Sequence, residues 1–254
     1  MPADLISATG VGKIFDQGDV PVEAVSTVSF TVKPGEFVSI LGPSGCGKST
    51  LLMMVAGLET STSGAISIAG TPVERPRQDV SVVFQDAVLL PWKSVLENTL
   101  FPVHIQGKSV AAYRDRAAKL LHSVGLDDFS DKRPHQLSGG MKQRVALCRA
   151  LINDPDVLLM DEPFSALDAV TRDQMNIVLM SLWQDIQKTA LFVTHSIREA
   201  VFLSDRILVM GKRPSTVIFE QAVAFERPRK FEIEESPEFN AICGVLRRKM
   251  DEAA

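Results

Sequence analysis

Residues 42–49 read Gly-Pro-Ser-Gly-Cys-Gly-Lys-Ser, and they stand between an apolar run, Phe37-Val-Ser-Ile-Leu41, and a run of good helix formers, Lys48–Ala56, stopped by Gly57. A strand that delivers a glycine-rich loop to the start of a helix makes backbone amides converge on phosphate oxygens. Gly42, Gly45 and Gly47 let the chain wrap closely, where a side chain would block the approach. Pro43, Ser44, Cys46 and Thr50 complete the loop, with Cys46 offering its backbone amide rather than its thiol. Lys48 supplies a point charge for β- and γ-phosphates, and the Ser49 hydroxyl is a ligand for Mg²⁺. A glycine-rich turn with no ligand is the plain alternative, but it leaves the strand and helix flanks without a purpose. The reading is a site for a nucleoside triphosphate, in a chain that must place a strand, this loop and a helix in succession.

The chain of 254 residues is long enough to bury a substantial core. Its net charge of −4 provides no global basic field for nucleic acid, so an anionic ligand must be held by local charge. Cys46, Cys148 and Cys243 are far apart and form no zinc or redox spacing, which fits a reducing cytosol. The stretch Met1-Pro-Ala-Asp-Leu-Ile6 lacks the features of a signal peptide, and no apolar run approaches the ~20 residues needed to span a bilayer. Any service to a membrane is therefore expected from its aqueous side, through a partner.

Leu5–Phe15 and Val25–Val32 carry β-branched residues in partial alternation and predict strands, ending at the turn Lys33-Pro-Gly-Glu36. Ala65–Ala69 predicts another short strand. Val80–Phe84, Val157–Met160, Ala190–Val193 and Arg206–Met210 are apolar runs of the kind buried on both faces of a parallel sheet. Between Asp86 and Gln136 the pattern turns helical, clearest at Tyr113–Val124, with Pro102, Gly125 and Pro134 as punctuation. Met141, Val145, Cys148 and Ile152 share one helical face, as do Met175, Leu179, Leu182 and Ile186; both read as core stripes. Cys148 belongs to that packing rather than to thiol chemistry.

The strand Val157–Met160 ends in Asp161 and Glu162. Asp161 would orient Mg²⁺ through water, and Glu162 would polarise the water attacking a γ-phosphate. Leu137-Ser-Gly-Gly-Met141 sets a hydroxyl and glycine amides at a helix start, an anion-binding arrangement, although Ser138 serves equally as a helix cap. A chain with one such loop and one such element resembles the ATP-binding cassette family, in which this signature completes the site of the opposite subunit.

The resemblance covers essentially the whole chain and implies an α/β fold: a P-loop NTPase core with a mainly parallel sheet, an N-terminal antiparallel β-subdomain and an inserted α-helical subdomain. Residues 1–254 form one ATPase domain in that reading, with the helical insertion at about 87–153 and a short C-terminal extension at 215–254. Gln85 matches the glutamine that contacts Mg²⁺ and the attacking water. Ser165-Ala166-Leu167-Asp168 matches the loop at the dimer interface. His195, in Phe192-Val-Thr-His195, matches the switch histidine at the γ-phosphate; His104, His122 and His135 match nothing. Phe15 stands where an aromatic stacks on adenine, with a core role as the alternative. The resemblance thus implies Mg²⁺-dependent hydrolysis of ATP by Glu162, His195, Lys48 and Gln85, with Ser49, Gln85 and Asp161 around the metal. Ser138, Gly139, Gly140 and Met141 would face the partner's ATP. Met141 replaces the usual Gln and cannot donate a hydrogen bond, so Ser138 and Gly140 carry that expectation.

A single cassette without a membrane span resembles the separate ATPase subunit of an importer. Val83–Asn98, the signature ending in Met and Glu226-Arg-Pro-Arg229 are similar to the nitrate/sulfonate/taurine subfamily. The expected partners are a second ATPase subunit, identical or paralogous and head to tail, two transmembrane permease subunits, and an extracytoplasmic solute-binding protein, with no nucleic acid. The location implied is the cytoplasmic face of the cell membrane. Val88, Leu89, Leu90, Pro91 and Trp92 would grip a permease helix, with subdomain core as the alternative. An exporter or lipid-transport ATPase shares every catalytic motif, and a soluble repair or translation ATPase is the rival of another class. Arg227, Arg229 and Lys230 read as a solvated charge cluster or a contact for acidic lipid, and Phe231–Glu235 as an exposed edge or loop.

Overall fold

Strands with a polar and an apolar face come first along the chain. The computed structural model describes residues 4–16 and 20–252, so Met1–Ala3, the start of the N-terminal stretch, lies outside them. β1 (Ile6–Phe15) pairs antiparallel with β2 (Val22–Val32). The turn after Lys33 leads to β3 (Phe37–Leu41), and the glycine-rich loop follows directly, opening α1 (Lys48–Val55). β4 (Ser63–Ile68) returns antiparallel along β1, and β5 (Thr71–Pro72) pairs with it across Ala69-Gly70. Both turn residues have positive φ, 51° and 72°, the backbone of a two-residue hairpin turn matched to strand twist. These strands make an antiparallel sheet in the order β2-β1-β4-β5.

The continuous apolar runs form the other sheet. β6 (Val80–Val83) precedes α2 (Val95–Ile105), α3 (Arg114–Ser123) and α4 (Gly139–Leu151). Then come β7 (Val157–Asp161), α5 (Ala169–Ile186), β8 (Thr189–Thr194), α6 (Ile197–Leu203), β9 (Arg206–Met210), β10 (Val217–Ala222) and α7 (Pro237–Glu252). Their order is β10-β9-β3-β8-β7-β6, parallel throughout except for β10. Every residue of β3 and β8 is buried, as strands covered on both faces require. Adjacent β3, β8 and β7 release their chains at the same sheet edge, where Gly42, His195 and Glu162 follow. Ligands of open α/β sheets bind outside that carboxyl edge.

Three local readings are corrected. Pro102 does not punctuate but lies inside α2. Losing one N–H near the end of a short helix is tolerated, because Val103 is buried and the Gln106 amide closes on the Pro102 carbonyl. Of the cluster Arg227, Arg229 and Lys230, Lys230 is exposed, but the two arginines are neither solvated nor available to lipid. Arg229 is buried and donates to the carbonyls of Val201, Phe202 and Ser204 at 2.8–3.1 Å. Arg227 donates to the Leu203 carbonyl and the Asp205 carboxylate, and its guanidinium lies 4.3 Å from the Trp183 ring. Together they satisfy the carbonyls orphaned at the end of α6, where the helix dipole also favours cations. Burial, with the charge of Arg227 adding to it, lowers the Arg229 pKa to about 10, still charged at neutral pH. Phe231 is no exposed edge either: it begins a 3₁₀ turn and packs its ring 5.4 Å from Phe202.

Candidate functional site

Two glycines shape the loop that follows β3. At Gly47 φ is 112°, and a Cβ would sit 2.8 Å from the Ala24 carbonyl; at Gly42 a Cβ would sit 2.9 Å from the Met210 carbonyl. The loop is therefore pressed against the antiparallel sheet on one side and β9 on the other, with no room for side chains. A cleft of about 370 Å³ opens beside it, lined by Phe15, Ser44, Lys48, Thr50, Gln85 and Glu162 among others.

Lys48 is buried at 3 % exposure, and its Nζ donates to the carbonyls of Gly42 and Pro43 at 3.0 Å each. Its third neighbour is the Glu162 carboxylate at 3.5 Å. Glu162 directly follows β7 and is itself left-handed, φ 42°, fixed by its amide on the Val193 carbonyl. Its other oxygen lies 2.8 Å from Nδ1 of His195, which leaves β8 one strand away. Ser49 Oγ donates to Asp161 at 2.8 Å. Burial raises the Asp161 pKa, against the Ser49 hydrogen bond and with help from the Glu162 charge. The loop, the two acids and His195 thus meet at one sheet edge.

The remaining sequence-predicted residues lie around this centre. Gln85 is exposed on the cleft wall, and its carbonyl accepts from Gln143 Nε2 of α4 at 2.6 Å. Phe15 sits at the cleft rim with the Lys13 ammonium 4.9 Å from its ring. Ser138 caps α4 by accepting from the Met141 amide, and Asp168 caps α5 by accepting from Thr171. Neither segment lines the cleft. They lie against each other instead: a Cβ on Gly139 would meet Leu167 at 3.3 Å, and one on Gly140 would meet Thr171 Cγ2 at 2.7 Å.

Sequence reasoning missed four contributors. Arg213 lines the cleft and donates two bonds to the Gly45 carbonyl, at 2.7 and 3.2 Å. Val22 and Ala24 line it too, because β2 begins earlier than Val25. Arg172 donates to the carbonyls of Phe164, Ser165 and Leu167 and lies 3.6 Å from Glu199. Glu199 accepts from Thr194, the neighbour of His195, so one buried carboxylate links loop 165–168 to the histidine turn. No motif marks these residues; an Arg-Pro pair three residues past the end of a buried strand is the only signal Arg213 offers.

A second concavity, about 550 Å³, is an apolar groove lined by Leu58, Phe84, Phe101, Pro102 and Ile105 among others. Val88 and Trp92 stand exposed nearby in sequence but do not line it. Their segment is held by Arg149, which donates to the Ala87 and Val88 carbonyls, and by Asn98, which bonds the Leu90 backbone.

A sequence model of ABC transporters matches residues 25–165, which spans the loop, Gln85, the signature and both acids. The chain belongs to the ABC transporter family. A taurine import ATP-binding protein of Rhizobium johnstonii is 48% identical over 81% of this chain and 79% of its own length. A nitrate import ATP-binding protein of Synechocystis is 42% identical over 97% of each chain. Among solved structures, the ATP-binding cassette MJ0796, in a dimeric post-hydrolysis state bound to ADP and Pi, superposes with a TM-score of 0.76. It is 33% identical and covers 87% of this chain and 100% of its own. The fold is accordingly that of the ABC ATPase cassettes, a P-loop NTPase core, and the chain is an ATP-binding ATPase of that family. Among the described residues, no helix of this cassette is long and apolar enough to cross a membrane.

Proposed function

We propose that this chain is the ATP-hydrolysing subunit of an importer, energising uptake of a small solute of the nitrate, sulfonate or taurine class through separate membrane subunits. The observation that carries the reading is the row Lys48–Glu162–His195, a buried ammonium, a carboxylate and an imidazole in contact beside the phosphate loop. Import and solute class rest on the taurine and nitrate relatives, which match along most of the chain.

ATP would replace the two carbonyls now satisfying Lys48, so that its charge meets the β- and γ-phosphates, with Gly42–Thr50 around them and Phe15 at the adenine. Glu162 would take the proton of the attacking water, and His195, held against that carboxylate, would contact the γ-phosphate. Ser49 Oγ and Asp161, already 2.8 Å apart, are the hard oxygen donors Mg²⁺ prefers, with Gln85 beside the cleft as a further donor. Bound there, the ion would neutralise charge on the β- and γ-oxygens. Two such chains, head to tail, would each offer Ser138, Gly139, Gly140 and Met141 to the other's ATP, with Ser165–Asp168 at the interface. The exposure of Ser138 and Gly139 on the surface away from the cleft supports that role.

Residues 87–153, holding α2–α4, would be the helical subdomain that answers to the permease, and 215–254 the C-terminal extension. The apolar groove beside Ile105, with Val88–Trp92 next to it, would receive a short permease helix on the cytoplasmic face of the membrane. A solute-binding protein would act from the far side. Steady-state ATPase assays of Glu162→Gln test the reading. Hydrolysis is expected to fall by about 10²–10⁴ while ATP binding persists. Undiminished turnover would remove Glu162 from its role and the mechanism with it.

A further inference from the structure

We infer that Arg213 is a positioning residue for nucleotide binding: it clamps the Gly45–Cys46 peptide so that the Cys46 amide points at the phosphate site. The inference rests on the ATP site proposed above and adds a residue outside its motifs. A trans peptide carries its carbonyl and its N–H on opposite sides of one plane. Arg213 holds the carbonyl with Nε and an η nitrogen, at 3.2 and 2.7 Å. On the other side, the Cys46 amide faces the Pro43 carbonyl at 3.4 Å, the same oxygen that Lys48 Nζ meets at 3.0 Å. The amide and the ammonium therefore converge on one spot, where a phosphate oxygen would displace that carbonyl.

Gly45 needs such a clamp. Its φ is 73°, it is exposed, and glycine leaves the peptide free to turn. A cation on the carbonyl also polarises the peptide and makes its N–H the stronger donor. Arg213 is itself moored. The Ser215 amide and hydroxyl donate to the Ala24 carbonyl, the Ser26 amide donates to the Ser215 carbonyl at 2.8 Å, and the Gly211 amide closes on Thr216. The same Ala24 lines the cleft. The guanidinium is thus carried on a segment fastened to β2 and reaches the loop from outside.

Equilibrium binding of ATP to the full chain tests this, using Arg213→Ala, Arg213→Lys, Arg213→Gln and Lys48→Ala, with melting temperatures taken without nucleotide. Arg213→Ala is expected to weaken binding about five- to tenfold and raise KM alike, with kcat within about twofold of wild type. Arg213→Lys should recover most of the loss, and Arg213→Gln, which keeps a donor without charge, should recover less. Wild-type affinity in Arg213→Ala, beside a loss in Lys48→Ala, would overturn the role of Arg213 and leave the ATP site standing. Wild-type affinity in both would overturn the ATP site itself. If Arg213→Ala melts early, Arg213→Gln decides: wild-type affinity there also overturns the inference.

Discussion

Gly140 marks the tightest side-chain constraint between the start of α4 and the first turn of α5. An added Cβ would lie 2.7 Å from Thr171 Cγ2, inside any real contact, and Thr171 is itself tied to Asp168. Gly140→Ala should therefore cost about 1–3 kcal/mol of stability, seen as a loss of about 2–4 °C in Tm per kcal/mol. Adding Thr171→Ser removes the offending methyl and should restore most of that loss. A double variant as unstable as the single one would locate the strain elsewhere. Cys148 gives a second check: it is fully buried, and burial pushes its thiol up to about 12. Maleimide labelling of the native protein should spare Cys148 and modify it only on unfolding. At this scale the sequence was most legible where chemistry needs a fixed spacing, as in Gly42–Ser49. Arg213 and Arg172 were not legible, because each acts on main-chain carbonyls, which leave no trace in the letters they come from.

Helix α6 shows the same limit one level up. Its seven residues follow His195, and its terminal carbonyls are satisfied by a tail more than twenty residues downstream. Arg229→Ala would leave three buried carbonyls without their donor, a loss of about 3 kcal/mol, which should lower Tm by about 6–12 °C. Arg229→Lys should rescue part of the loss, since the three carbonyls converge on one nitrogen, Nη1, whose place an ammonium can take, while the Nη2 bond to the Phe225 carbonyl is lost. Full recovery by lysine would show that charge alone holds the helix. Periodicity identified the buried faces of α4 and α5, because apolar spacing reports packing directly: Val145, Cys148, Met175 and Leu179 are all buried. It carried no warning about Arg227 and Arg229, since a charged letter is read as solvated until its partners are seen. Pro102 misled for a related reason, its missing bond falling where a helix was about to end.

For the molecule as a whole, Arg206 joins the two sheets. It donates to Glu36 through two nitrogens at 2.7 and 3.0 Å, to the Thr31 carbonyl of β2, and to Glu220 of β10. Burial pushes the Glu36 carboxyl up, but the Arg206 and Lys33 contacts outweigh it and hold it below the usual carboxylate range. A depressed folded-state pKa adds stability above the unfolded value, and that stability disappears as pH falls through the folded one. Urea midpoints measured from pH 7 downward should therefore drop less steeply in Glu36→Gln than in wild type; equal slopes would show that Glu36 contributes nothing to acid sensitivity. The central strands were legible because Val157–Met160 and Ala190–Val193 have no polar face to give water. Their lateral order was not, since a parallel sheet is closed by crossovers whose partners a local pattern cannot name. Nor could it show that β10, within the stretch set aside as an extension, completes the main sheet.

Because every hydrogen bond of Arg229 goes to a backbone oxygen, the side chains at the end of α6 can change without removing those acceptors. A chimera that borrows positions 225–240 from another cassette must keep two guanidiniums in register, with Phe231 against Phe202 and Glu234 beside Arg198, for the latch to survive grafting.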